Sequence, residues 1–185
     1  MTNHETLADA PELEVRDWLN SDAPVSLSSL RGRVVLIEAF QMLCPGCVSH
    51  SLPQASKVTQ LFKPEDVAVI GLHTVFEHHD VQGTKEALSA FLHEYRISFP
   101  VAIDAPSPTG PTPKTMTKYQ MRGTPTTILI DRNGKLRKQN FGRVDDMVLG
   151  AELMALVAES GSVTTEHKDQ PVAGSDCDEN GCPIP

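Results

Sequence analysis

Basic residues are in short supply: 16 Lys and Arg stand against 24 Asp and Glu, for a formal net charge of -8 at pH 7. A surface biased this way repels phosphate backbones and anionic headgroups, which argues against nucleic acid and membrane as partners. Long apolar runs are missing too. None approaches the roughly 20 residues needed to cross a bilayer. Met1 to Ala10 carries acidic and polar residues where a secretory leader would have a basic start and an apolar stretch. The expected location is therefore the cytoplasm, unless the chain is a trimmed mature form. Cysteine is scarce, with four in 185 residues. That is too few for a disulfide scaffold, and their grouping as two close pairs points to reactive or metal-binding use. No internal repeat is present.

What the chain does have is one domain's worth of residues, 39% of them hydrophobic, enough for a single core. Leu13 to Leu19 alternates apolar and polar residues and Val25 to Leu27 follows a short turn, which predicts a small N-terminal β-hairpin. Val34 to Phe40, Val67 to Leu72 and Thr126 to Ile130 are apolar runs without polar alternation, suited to central strands covered on both faces. Cys44 to Phe62 has helical spacing interrupted at Pro53, so a helix kinked there is expected. After Leu72 comes a His-bearing loop, then a helix over Thr84 to Tyr95 and a short strand at Val101 to Ile103. Pro106 to Pro113 must be loop, and Lys114 to Met121 a short helix. Asn133-Gly134 predicts a hairpin that pairs Lys135 to Phe141 with Thr126 to Ile130. A last helix spans Asp145 to Glu159. The expected organisation is an N-terminal segment 1–12, a domain over 13–159 and a polar, acidic tail over 160–185 that is disordered until its cysteines are engaged. Helices alternating with parallel strands, closed by an antiparallel hairpin, make an α/β sandwich on a mixed sheet.

The chemistry centres on Cys44-Pro45-Gly46-Cys47, which follows a buried-strand pattern and opens a helix. Unsatisfied amides and the helix dipole at such a start favour negative charge, so the Cys44 thiol, the more exposed of the two, is expected to form a stabilised thiolate. Pro45 fits the first helical turn, where its missing N–H costs nothing, and the spacing brings Cys47 within bonding distance. The same spacing also suits tetrahedral thiolate ligation, so metal binding or metal delivery through these cysteines is the competing reading.

These residues, together with Arg122-Gly123-Thr124-Pro125-Thr126, give the chain over 13–158 a resemblance to the thioredoxin superfamily and, within it, to the TlpA-like or redoxin branch. The resemblance implies a thioredoxin-like three-layer sandwich with a central mixed sheet, an N-terminal hairpin and an inserted βα unit. It implies that Pro125 is cis and shapes a substrate groove, and that the Thr124 backbone bonds an incoming peptide. It also implies that Glu38, in the middle of the first apolar strand, exchanges a proton with Cys47, its pKa raised by burial. Three departures stand out. Leu43 occupies the usual tryptophan position and should alter substrate docking. The order Pro-Gly replaces Gly-Pro between the cysteines. Pro53 lies one residue farther from Cys47 than is usual. Peroxiredoxins place Thr or Ser three residues before the peroxidatic cysteine, and Gln41 stands there instead, which disfavours direct peroxide reduction.

Cys177 and Cys182, in the tail, have three open uses: a disulfide of their own, a metal site, or a redox relay with Cys44 and Cys47. Nothing in their spacing chooses. His73, His78 and His79 follow the second apolar run and with the cysteines are a candidate metal set, while His50 sits on the thiol helix, where it would tune the thiolates if it faced them. The expected activity is disulfide reduction or exchange on a protein or low-molecular-weight thiol, without a cofactor, with a separate reductase as electron donor and the reducing direction favoured in the cytosol.

Overall fold

The computed structural model describes residues 7–159. Cys177 and Cys182 therefore lie outside the described residues. Six strands form one sheet: β1 (Val15–Leu19), β2 (Val34–Phe40), β3 (Val67–His73), β4 (Val101–Asp104), β5 (Thr126–Ile130) and β6 (Leu136–Phe141), in the order β1-β4-β3-β2-β5-β6. β2, β3 and β4 run parallel, and β1, β5 and β6 pair antiparallel to their neighbours, so the sheet is mixed.

All seven residues of β2 are buried. A strand alternates its side chains between faces, and β2 accordingly supplies two cores. Val34, Leu36 and Phe40 join the cluster formed with Leu52, Leu88, Leu149 and Leu153 from three helices. These helices are α1 (Leu52–Leu61), α3 (Lys85–Glu94) and α5 (Asp146–Ala158). Val35, Ile37 and Ala39 join the opposite cluster, closed by Leu27, Leu30, Met116 and Tyr119. Met116 belongs to α4 (Lys114–Lys118). Helix, sheet and helix make three layers. A one-turn helix, α2 (His79–Gln82), lies in the His-bearing loop.

The helix starts follow local chemistry. Thr84 caps α3 by accepting the Ala87 N–H at 3.1 Å, and Asp145 caps α5 by accepting the Met147 N–H at 2.8 Å. At the β5–β6 turn Gly134 has φ +73, and the Asp131 carboxylate accepts the Asn133 and Lys135 N–H groups, both at 2.9 Å.

The expected N-terminal hairpin is not formed. β1 pairs with β4 instead, Val15 opposite Asp104 and Leu19 opposite Val101, and Val25 to Leu27 makes no strand. Asn20, at φ +56, ends β1 and anchors its side-chain amide on the Ile97 carbonyl at 2.8 Å. That turn sends the chain onward to the single 3-10 turn Ser28–Leu30 rather than back along β1. β1 thus covers the edge that β4 would otherwise expose.

Candidate functional site

β2 ends at Phe40, and its continuation carries the cysteines over the carboxyl end of the parallel strands. Helix begins at Pro45, opens into a π turn over Cys47–Ser51 and continues as α1. The π turn is marked by the Leu52 N–H reaching back to the Cys47 carbonyl. It takes up one extra residue just ahead of Pro53, which has no N–H to give, and so accounts for the lengthened interval between Cys47 and that proline. A π turn thus stands just ahead of Pro53, the residue at which the sequence predicts a kink, and α1 runs on through that proline in its first turn.

Both cysteines are free thiols; Cys44 is half-buried and Cys47 fully buried. The Cys47 N–H donates to Cys44 Sγ at 3.3 Å, and the Cys44 thiol donates to the Thr124 carbonyl at 3.6 Å. Thr124–Pro125 is a cis peptide bond. A Cβ on Gly46 would stand 3.4 Å from Pro125 Cδ, which shows how closely the thiol turn and this proline face each other. The structure therefore brings Cys44, Cys47, Thr124 and Pro125 together across 80 residues of chain. Leu43 projects beside them, 53% exposed.

Burial pushes the Cys47 thiol strongly upward, the neighbouring Cys44 adds to the rise, and the Gln41 N–H and Thr124 oppose it. Cys47 is a thiol that keeps its proton until chemistry removes it. Glu38 lies on the same face of β2 as Val34, Leu36 and Phe40, the face that α1 covers. It is 1% exposed, and burial raises its pKa to about 7 against the smaller opposing effects of the Thr127 and Ser51 hydroxyls. Thr127 Oγ1 donates to Glu38 Oε2 at 2.9 Å, while Oε1 is buried without a hydrogen-bond partner among the described residues. Glu38 thus lies beneath the π turn, on the side of Ser51, with no direct hydrogen bond to either thiol.

The histidines are placed apart. His73 is buried against Phe40, ring centroids 5.3 Å apart, and burial lowers its pKa to about 4, with Arg16 adding to the effect. His78 and His79 are exposed. His50 bonds the Val144 carbonyl at 2.8 Å, not a cysteine. Among the described residues no three His, Cys, Asp or Glu side chains form a metal-ligand group. Two buried glutamines, Gln41 and Gln82, stand beside the turn; the sequence does not show the burial of Gln82, since a glutamine in a segment without apolar periodicity gives no signal.

A family model described as Redoxin matches residues 7–153. A solved thioredoxin-like superfamily protein is 55% identical, with TM-score 0.80, over 82% of this chain and 97% of its own. A thiol-disulfide isomerase from Corynebacterium glutamicum is 49% identical, with TM-score 0.78, over 86% of this chain and 100% of its own. Protein DipZ of Mycobacterium tuberculosis (strain CDC 1551 / Oshkosh) is 34% identical over 145 residues, 76% of this chain, which spans only 19% of DipZ. A cysteine pair at a helix start, a cis proline facing it and these relatives agree: the chain belongs to the Redoxin family, within the thioredoxin superfamily.

Proposed function

We propose that the protein exchanges dithiol for disulfide through Cys44 and Cys47, reducing a disulfide of a protein or of a small thiol. One observation carries this reading: a half-buried Cys44 whose Sγ is held between the Thr124 carbonyl and the Cys47 N–H, with the buried Cys47 one helical turn behind it. Deprotonated Cys44 attacks one sulfur of the substrate disulfide, and the other sulfur leaves as a thiolate. The mixed disulfide lies against Thr124 and Pro125. Cys47 then attacks Cys44 Sγ, the Cys44–Cys47 bond forms, and the substrate's second sulfur leaves with the electron pair. Two electrons pass to the substrate.

The Cys47 proton must go somewhere before that second attack. Glu38, buried beneath the turn with a pKa of about 7, is partly ionised at neutral pH, so it can act as the base that accepts the proton as Cys47 attacks and return it when the pair is reduced again. The pair is regenerated by a separate electron-donating reductase, in a reducing compartment such as the cytosol.

The test is equilibration of metal-free protein against graded reduced and oxidised dithiothreitol, with free thiols counted per chain. Two thiols should titrate together in wild type, and Cys44→Ser should remove that step. The Cys47→Ser variant should accumulate a mixed disulfide on Cys44, visible by mass spectrometry. A pair that stays reduced throughout, or activity that survives Cys44→Ser, would overturn the reading.

A further inference from the structure

The segment between β3 and α3 reaches back to the thiol turn through two glutamines. Gln41 and Gln82 are each 1% exposed, and an amide withdrawn from water is costly unless its donors and acceptors are met. Here the bonding runs in one direction. The Leu43 N–H can only donate, so Gln82 must present Oε1 to it, at 3.2 Å. Gln82 Nε2 is left to donate to Gln41 Oε1 at 3.0 Å and to the Glu77 carbonyl at 2.9 Å. Gln41 Oε1 also accepts the Phe76 N–H at 3.3 Å, which turns the Gln41 Nε2 toward the Glu77 carboxylate, likewise at 3.3 Å. Each link sets a donor against an acceptor, and reversing either amide would break at least two of them.

The main chain of Gln41 carries this network into the chemistry. Its carbonyl accepts the Cys44 N–H at 3.2 Å. Met42, Leu43 and Cys44 are therefore strung between Gln41 and Gln82. The exposed Leu43 side chain cannot hold the turn in their place. On the other side, Gln82 is the one buried residue of α2, so the same bonds dock that helix, with its exposed Val81, beside Leu43.

We propose that Gln41 and Gln82 are positioning residues for thiol exchange: they fix the Leu43 and Cys44 amides, and with them the line along which Cys44 Sγ meets a substrate disulfide. This rests on Cys44 being the attacking thiol. Disulfide exchange requires three sulfurs close to a line, and a misplacement of about 1 Å can slow an enzymatic step by as much as ~100-fold. The pair acts as a unit, because each glutamine orients the other.

The experiment uses Gln41→Met, Gln82→Met and the double variant, which keep side-chain length and remove the amide. Three quantities are read: the rate constant for reduced protein with 5,5′-dithiobis(2-nitrobenzoate), the rate of insulin disulfide reduction, and backbone amide exchange by NMR. Each single variant should slow both reactions by about 5- to 10-fold, and the double variant should be no slower than the worse single, as coupled residues require. The Leu43 amide should exchange at least ~10-fold faster in Gln82→Met while the Leu36 and Ile37 amides of β2 keep their protection, a signature that general loosening would not give. Should the methionine variants fail to fold, Gln82→Asn, whose shorter amide cannot span to Leu43, should show the same slowing and the same exchange change. Folded variants that react within about twofold of wild type, or losses that multiply in the double variant, would overturn the proposal. A wild type without Cys44-dependent exchange would instead bring down the functional reading beneath it, and this proposal with it.

Discussion

Glu38 is ionisable in the middle of a strand whose other six residues are apolar, and its energetics can be stated with a sign. The folded protein holds its pKa at about 7, above the ordinary 4.5, so between those values the folded state binds more proton than the unfolded one. Stability must then fall as pH rises through this window, by up to about 3 kcal/mol, and level off above it. Glu38→Gln should remove that fall: urea unfolding at pH 4 and pH 8 should show the variant gaining on wild type at the higher pH. Its turnover should also drop, and lose the pH dependence centred near 7, if Glu38 serves Cys47. The cysteine pair and Glu38 were legible in the sequence because each breaks a local rule, a reactive pair at a helix start and a charge in an apolar run. Gln82 was not, because two of the three partners of its side chain lie 39 and 41 residues away in the sequence.

At the scale of elements, the strands and helices read from periodicity are present apart from Val25 to Leu27, and the differences are informative. Asp145 was placed inside the last helix by its charge, whereas it stands just before it as a cap. Asp145→Ala should cost about 1 kcal/mol in a denaturation experiment, with little effect on exchange chemistry. On β3, a Cβ at Gly71 would come within 3.0 Å of Val101 and 3.1 Å of Phe99. Gly71→Ala should destabilise by about 1 to 3 kcal/mol, read as a lowered urea midpoint, since neither β4 nor the Phe99 ring can withdraw cheaply. The periodic pattern of β3 shows a strand but not how tightly its neighbour approaches. The same limit explains the hairpin: alternation at Leu13 to Leu19 announces a strand, yet its partner, β4, begins only at Val101, far along the chain.

Over the whole molecule, the sheet order follows from connections that are short or cross over one face, and the mixed α/β class was legible from the alternation of elements. β1 covers β4 and is itself the edge strand on that side, short and irregular between Val15 and Asp17. A chain lacking residues 1–19 should leave β4 unpaired and self-associate, which light scattering against the full chain would show. The thiol turn hangs from this frame at two places, the end of β2 and the π turn ahead of α1. One residue of helix corresponds to about 100° of rotation, so without the π turn the extra residue would swing Leu52, Ala55 and Val58 away from the core they fill. With it, the error in phase is discharged within five residues, Cys47–Ser51, and α1 packs in its proper register. The π turn thus insulates the scaffold from the length of the reactive segment, which carries its extra residue without any rebuilding of the core that supports it.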